Sequence, residues 1–76
     1  MPHVVVKLHA GRSVEQKKAL AEALTKAVTS TLKLGEESVS VGIEDVEPKN
    51  WAEQVYRSDI LGKMDTIYKK PGYNPL

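Results

Sequence analysis

The sequence predicts an α/β fold of the α+β kind: a single βαβ unit with two parallel strands, a long crossover helix and a helical C-terminal tail. Apolar residues alternate with period two near the start, recur every three or four residues through the middle, and alternate again over residues 38–46. Period two is typical of a strand, and a period between three and four is typical of an amphipathic helix. Strand, helix and strand within about 45 residues imply parallel strands with a right-handed crossover.

The first strand carries Val4, Val6 and Leu8 on one face and is preceded by Pro2. The first residue of a strand is one of the few strand positions that tolerate proline, because proline has no N–H to donate. Initiator methionine is usually removed when the second residue is small. Pro2 is then the N-terminus, and its ring nitrogen is a free secondary amine instead of an amide. The segment Ala10–Arg12 ends the strand.

The long helix is predicted to run from residue 14 to about residue 33. Ser13 and Gln16 have the S-x-x-Q spacing of a capping box at its N-terminus. Gly35 is expected just beyond its C-terminus, where a left-handed backbone conformation commonly ends a helix. One apolar stripe follows the helical period; its members are Leu20, Ala23, Leu24, Ala27, Val28, Thr31 and Leu32.

The second strand is predicted over Ser38–Val46, where apolar residues alternate with small or polar ones. Two strands alone do not make a stable sheet, and one helix covers only one of its faces. Val5 and Gly42 fall on the uncovered face. We therefore expect oligomerisation to complete the sheet: a second protomer covers this face and extends the sheet to four strands. A site at the strand ends then contains residues from two chains.

The tail is predicted to begin with a short helix at Trp51, because Asn50 and Glu53 have the spacing of a second capping box. Helical apolar spacing continues beyond an expected break near Ser58. The sequence KKPGY, residues 69–73, is typical of a helix stop followed by a turn.

Composition limits the class of protein and its partners. The chain of 76 residues is treated as one domain, residues 1–76, and its lack of cysteine excludes disulfide bonds and thiolate sites. The two histidines, His3 and His9, lie ~20 Å apart on one strand, too far to bind one metal ion within a chain. We interpret them as interface or surface residues and expect no metal and no cofactor. Self-association remains as a source of stability, so we expect a homo-oligomer.

The charge balance narrows the partners further. Eleven lysines and arginines against ten acidic residues give a net charge of +1, which provides no general attraction to nucleic acid. No apolar run approaches the ~20 residues of a membrane span, and the early valine run is too short for a signal peptide. We expect a cytoplasmic protein that binds neither nucleic acid nor membrane. Lys69 and Lys70 are expected to be solvated charges.

Several of these features occur together in a known family. Pro2, the strand behind it, the segment GRSVEQK (Gly11–Lys17), the long helix and the segment SVSVGIEDV (Ser38–Val46) resemble the 4-oxalocrotonate tautomerase family over residues 2–46. Proline at position 2 and G-R-S at this distance are fairly specific in combination. The tail with KKPGY is similar to that of the longer bacterial members, which tend to be homodimers. We therefore expect a homodimer, with a hexamer as the alternative.

The resemblance implies an isomerase, a cofactor-independent tautomerase with Pro2 as its general base. The base takes a proton from the enol hydroxyl or the carbon skeleton of a 2-hydroxydienoate or arylenolpyruvate-type 2-oxo acid and returns it at another carbon. An α-amino group ordinarily titrates at about 7.7–8, and a proline amine higher. An apolar pocket and a nearby cation would favour the neutral amine, and Arg12 is the obvious cation. A base that titrates near ambient pH is efficient in proton transfer.

The resemblance also assigns binding roles to Arg12 and Trp51. Arg12 is expected to bind the substrate carboxylate through its planar guanidinium and to draw electron density from the developing dienolate. The alternative is a solvated loop arginine, although the helix dipole disfavours a cation at this end of a helix. Trp51 aligns with the aromatic residue that walls the family's pocket. It could equally anchor the tail helix, and both roles are compatible.

Ser40 is a departure from the family pattern. Its best-known members carry a second arginine at this position of the second strand, which polarises the substrate carbonyl, whereas a serine hydroxyl donates one hydrogen bond without charge. Either another group does this work or the substrate is a simpler monocarboxylate enol such as an arylenolpyruvate. Candidates for that group, each more often a surface residue, are Lys7, Tyr56 and Arg57.

A second hypothesis is a non-catalytic oligomeric binding module that retains the fold. The absence of the second arginine supports it, because carbonyl polarisation then lacks a charged group. Retention of Met1 would also favour it, since the nitrogen of Pro2 would then be an amide without a basic lone pair.

Overall fold

The computed structural model describes residues 1–76. It contains strand β1 (His3–His9), helix α1 (Val14–Leu32) and strand β2 (Ser40–Val46). Short 3₁₀ turns form at Glu36–Ser38 and Pro48–Asn50, and the tail continues through the helical segments Ala52–Ile60 and Leu61–Thr66. The strands are parallel neighbours in a two-stranded sheet, so the predicted fold class is confirmed. No helix is both long and apolar enough to cross a bilayer.

The strand register defines two faces of the sheet. His3 lies opposite Ser40 and His9 opposite Val46, and the pairs between them follow in step. Residues paired in this way project to the same side. Val4, Val6 and Leu8 therefore share the face on which α1 packs, which we call the helix face. The opposite side, the tail face, carries His3, Val5, Lys7, His9 and their partners on β2.

Helix α1 begins at the predicted capping box. The Ser13 hydroxyl accepts a hydrogen bond from the Gln16 amide, and the Gln16 side chain accepts one from the Ser13 amide, both at 3.1 Å. The left-handed position at the other end is occupied by Lys33, with φ of 58°, and not by Gly35. The amides of Lys33 and Leu34 both bond to the Thr29 carbonyl. The prediction of Gly35 was wrong because the helix closes two residues before the glycine.

Strand β2 begins at Ser40 and not at Ser38. Ser38 belongs to the preceding 3₁₀ turn, where its amide and hydroxyl bond to the Gly35 carbonyl at 3.2 and 2.9 Å. These bonds divert the backbone of Ser38 from the sheet, although its sequence alternates like a strand. The predicted start was therefore two residues too early.

The second capping box does not form. Asn50 lies inside a 3₁₀ turn, where its amide bonds to the Glu47 carbonyl at 2.9 Å, and no side chain caps the following helical segment. The segment Ala52–Ile60 has π-helical geometry and continues past the predicted break at Ser58. The amide of Leu61 is shared between the carbonyls of Tyr56 and Arg57, so the helical geometry changes there and not at Ser58.

The chain's own tail packs across the tail face. Lys7 on β1 donates a hydrogen bond to Asp59 of the tail at 2.5 Å. The buried residues are Val46, Val55 and Tyr56, so the core lies between the end of β2 and the tail. The tail therefore covers part of the face that was expected to be covered by a second protomer. Coverage is incomplete, since Val5 is still 46% exposed.

A single protomer buries too little surface for its mass. It exposes 5722 Å², whereas a folded monomer of 8.4 kDa exposes about 4,600 Å². Helix α1 contains no fully buried residue. The excess of roughly 1,100 Å² is comparable to the ~800 Å² that one partner contributes to a standard protein interface. The protomer therefore has the exposed surface from which an oligomer interface is built.

The Lys7–Asp59 pair perturbs the ionisation of both groups. Their mutual hydrogen bond is the main reason that the pKa of Lys7 is raised and that of Asp59 is lowered. A carboxyl whose pKa falls on folding stabilises the folded state above its unfolded pKa, and this contribution is lost as pH falls through the folded value. A raised lysine pKa contributes below the unfolded value and is lost as pH rises through the folded one. The pair therefore stabilises the tail between mildly acidic and mildly basic pH.

We expect Asp59→Asn to destabilise the protein at neutral pH and to have a vanishing ionic effect in acid. The difference in urea midpoint between wild type and variant should be largest between about pH 5 and 9. It should shrink as pH falls below about 4 and through the lowered pKa of the folded-state Asp59 carboxyl. Glu53→Gln is a matched control, since Glu53 pairs with Arg57 within the same helical segment and does not reach the sheet. Equal shifts for both variants at every pH would contradict a tail held by the Lys7–Asp59 pair.

Candidate active site

The predicted proton-transfer and carboxylate-binding residues lie at opposite ends of β1. Pro2 precedes the strand and Arg12 follows it. At ~3.3 Å per strand residue, the eight steps from Pro2 to Ala10 span roughly 26 Å. The structure therefore does not bring Pro2 and Arg12 together within one protomer. Any site that uses both side chains requires a second chain.

At the first end, Pro2 is held against the start of β2. Its carbonyl accepts a hydrogen bond from the Ser40 amide at 3.2 Å. Met1 projects freely from this anchored residue and is fully exposed. Ser40, the predicted site residue on the second strand, thus lies beside Pro2. This bond fixes the backbone of residue 2 whatever group occupies its nitrogen.

The Ser40 side chain has a partner that the sequence analysis assigned to the surface. Its hydroxyl lies 2.6 Å from Nδ1 of His3, the residue opposite it across the sheet. Lys7, one of the candidates to replace the missing arginine, is engaged with Asp59, and another, Arg57, with Glu53. The third, Tyr56, is buried in the core.

At the second end, a sharp turn presents Arg12. Gly11 has φ of 119°, a conformation that only glycine adopts without strain. Arg12 follows it, immediately before the N-cap residue of α1, and lines a small cavity of about 150 Å³ beside Leu8 and Leu20. The carboxylates in salt bridges pair with Lys7, Lys17, Lys26 and Arg57. The Arg12 guanidinium is therefore available for an external anion.

Trp51 lies at the same end of the sheet as Arg12. Its ring meets that of His9 edge to face, with centroids 4.9 Å apart, and its indole N–H donates to the Tyr73 hydroxyl at 2.9 Å. A pocket of about 340 Å³ opens beside these rings, lined by His9, Pro48, Trp51, Tyr73 and Pro75. Trp51 therefore anchors the tail and also lines a pocket.

His9 and Tyr73 are pocket residues that the sequence analysis missed. Tyr73 lies in the KKPGY turn, and its ring also packs against Tyr56 at 5.7 Å. An aromatic residue directly after a proline–glycine turn was a usable signal of a segment folding back onto the core. The position of His9 depends on the tail, whose path the strand pattern does not indicate.

The largest cavity lies between the tail and the sheet, away from Pro2 and Arg12. Its volume is about 570 Å³, and among the predicted site residues only Trp51 lines it. Two of its charged groups, Lys7 and Asp59, already pair with each other. Its size alone is therefore a weak reason to place chemistry there. No cluster of three or more histidine or acidic side chains with metal-binding geometry is present.

Comparison with known proteins supplies independent information. The family model described as "Tautomerase enzyme" matches residues 2–58. A protein named "Probable tautomerase" from Xylella fastidiosa is 41% identical over 76 residues, which cover all of this chain and 93% of that protein. "Tautomerase PptA" from Cronobacter sakazakii is 39% identical over 74 residues, covering 96% of this chain and 97% of that one.

Solved structures of other proteins have a similar fold. TomN, described as a 4-oxalocrotonate tautomerase homologue in the tomaymycin biosynthetic pathway, matches with a TM-score of 0.64 at 42% identity, covering 66% of this chain and 77% of TomN. YwhB, a homologue of 4-oxalocrotonate tautomerase, matches with a TM-score of 0.65 at 38% identity, covering 78% of this chain and 98% of YwhB.

We expect Tyr73→Phe to loosen the wall of the aromatic pocket. Removing the hydroxyl breaks its bond to Trp51, at a net cost of about 0.5–1.5 kcal/mol in unfolding free energy. Trp51 is the only tryptophan, so its fluorescence emission reports this change directly. Tyr68→Phe is the matched control, because Tyr68 is fully exposed. Identical emission and stability in both variants would contradict the described wall.

Proposed function

Because this chain belongs to the 4-oxalocrotonate tautomerase family and is therefore an isomerase, we propose that it interconverts the enol and keto forms of a 2-oxo acid without a cofactor. The N-terminal amine of Pro2, freed by removal of Met1, is the general base. The observation that carries the proposal is the anchored position of Pro2, whose carbonyl is bonded to Ser40 at the start of β2. The substrate is a 2-hydroxydienoate or arylenolpyruvate-type acid.

A homodimer in which two β1 strands pair antiparallel would complete the site. Strand β1 pairs with β2 along one edge only, and an unpaired strand edge readily pairs with another chain. A two-fold axis near Val6, the midpoint of β1, extends the sheet to four strands and sets residue 2 of one protomer opposite residue 10 of the other. Pairing through β2 would leave Pro2 far from any Arg12. The tail's cover over the sheet favours this dimer over a hexamer that packs through the same face.

In this dimer each site combines the start of β1 from one protomer with the end of β1 from its partner. The partner's Arg12, which has no carboxylate partner of its own in the chain, binds the substrate carboxylate in a bidentate manner. The pocket beside the partner's Trp51 receives the apolar end of the substrate. Its aromatic and proline lining suits an aryl ring. This lining favours an arylenolpyruvate over a diacid within the proposed substrate class.

The chemistry is a balanced proton shuttle. The Pro2 nitrogen accepts the enol hydroxyl proton, and the O–H electron pair forms the C2 carbonyl. The electron pair of the C2–C3 double bond then takes the same proton from the Pro2 ammonium at C3. The amine returns to its neutral form, so no co-reactant is consumed. Arg12 of the partner subunit supports the step by stabilising the negative charge that develops on the enolate.

We expect Pro2→Ala, which replaces the ring nitrogen with a more mobile primary amine, to lower kcat/KM for ketonisation of an arylenolpyruvate by up to about 10²–10⁴-fold, the usual contribution of a positioned general base. The decay of ultraviolet absorbance of the enol measures the rate. Intact mass must first establish that Met1 is absent from both proteins, since an acylated Pro2 has no basic nitrogen. Equal rates for processed wild type, processed Pro2→Ala and protein that retains Met1 would exclude the amine of residue 2 as the base.

Mixing two inactive variants tests whether the site is shared between chains. In a Pro2→Ala/Arg12→Ala heterodimer, one site regains both wild-type residues and the other loses both. Random re-association after mild denaturation makes half of the dimers mixed, so activity should recover to about a quarter of wild type. The control for dilution and refolding losses is a mixture of Pro2→Ala with Glu53→Gln, a variant in which Pro2 and Arg12 are both unchanged. No recovery in the first mixture would contradict a site that combines Pro2 of one chain with Arg12 of the other.

A further inference from the structure

The unexplained group nearest to Pro2 is His3. It follows Pro2 directly, and its Nδ1 lies 2.6 Å from the hydroxyl of Ser40. The amide of Ser40 bonds in turn to the Pro2 carbonyl at 3.2 Å. Pro2, His3 and Ser40 therefore form one hydrogen-bonded unit at the start of the sheet. The arrangement joins the proposed base to an imidazole that neither strand periodicity nor residue spacing indicated.

The bond at Nδ1 determines what the rest of the ring can do. When the Ser40 hydroxyl donates to Nδ1, the neutral imidazole carries its proton on Nε2 and has a donor on the side away from Ser40. His3 is exposed in the protomer, and Ser40 is its one hydrogen-bond partner in the chain. In this tautomer, the Nε2–H is free to donate to a molecule bound next to Pro2.

The proposed reaction needs such a donor. Negative charge develops on the C2 oxygen as the enol proton leaves, and stabilisation of that oxygen is distinct from binding of the carboxylate. Ser40 brings no charge at the position where a second arginine would serve. Lys7 and Arg57 are held by their own acidic partners, and Tyr56 is buried. His3 is left as the polar group adjoining residue 2.

We infer that His3, oriented by Ser40, is a substrate-contacting residue whose Nε2–H donates a hydrogen bond to the C2 oxygen of the 2-oxo acid. Ser40 is a positioning residue that holds the His3 ring in place through the contact at Nδ1. The inference rests on the proposed function, because it assigns the C2 oxygen next to the Pro2 base. It makes no use of a charge on His3, so a neutral imidazole suffices.

Two replacements of His3 separate this role from a structural one. Asparagine keeps an amide near the position of Nδ1 and can still bond Ser40, whereas glutamine is longer and brings an N–H close to the position of Nε2. We expect His3→Asn and His3→Leu to lower kcat at least about tenfold with little change in KM, and His3→Gln to recover a substantial part of the loss. A residue that only joins β1 to β2 would show the opposite order, with His3→Asn the better substitute.

Ser40→Ala tests the positioning role. It should lower kcat about fivefold, the equivalent of one lost hydrogen bond, and should add little when combined with His3→Leu, because Ser40 acts through His3. Ser30→Ala is the matched control, since its hydroxyl bonds the Lys26 carbonyl on α1 and should leave the rate unchanged. Additive losses from Ser40→Ala and His3→Leu would overturn the inference.

Further measurements distinguish a failure of the role of His3 from a failure of the proposed function. If processed Pro2→Ala is inactive while His3→Leu keeps the wild-type kcat, the proposed base stands and the role of His3 is wrong. If processed wild type does not ketonise the arylenolpyruvate, the proposed function itself fails. Sedimentation and circular dichroism of every variant establish dimer and fold. Equal losses in His3→Asn and His3→Gln that follow dissociation of the dimer would make His3 an interface residue and overturn the inference.

Discussion

The constraint on which this structure depends is that two parallel strands and one crossover helix cannot bury their own sheet. One face lies against α1, while the other face and both outer edges are left without a partner from the βαβ unit. The tail takes part of the open face, supported by the Lys7–Asp59 pair and by the buried side chains of Val55 and Tyr56. The edges are left free, so this protomer is suited to assembly through its strands.

The distribution of predicted site residues follows from the same constraint. A strand that begins at Pro2 and ends before Arg12 separates these residues by its whole length, and no local rearrangement brings them together. Antiparallel pairing of two such strands brings Pro2 of one chain close to Arg12 of the other, although the two residues are far apart within each chain. The fold therefore makes a shared site the simplest way to use both residues. Trp51 lies at the same end of the sheet as Arg12 because the tail starts where the strands end.

Much of the architecture was readable from the sequence, because periodicity and local capping depend on neighbouring residues. The two strands, α1 and the Ser13–Gln16 box followed from such patterns. The end of α1 at Lys33 did not, since a closing pair of backbone bonds outweighed the preference for glycine. The His3–Ser40 contact depends on the register between strands 37 residues apart, and Tyr73 meets Trp51 only through the path of the tail. Such long-range pairings leave no local signal.

The bond between the Pro2 carbonyl and the Ser40 amide makes folding independent of the chemical state of the Pro2 nitrogen, whereas the proposed activity depends on that state. It leaves the nitrogen of residue 2 uncommitted, so a peptide leader fused ahead of Met1 leaves the sheet pairing intact. On the proposed chemistry, that same fusion keeps the Pro2 nitrogen as an amide, so the protein folds correctly but is inactive. Recombinant production for assays therefore calls for an unextended amino end, and a maturing aminopeptidase becomes the host enzyme on which catalysis depends.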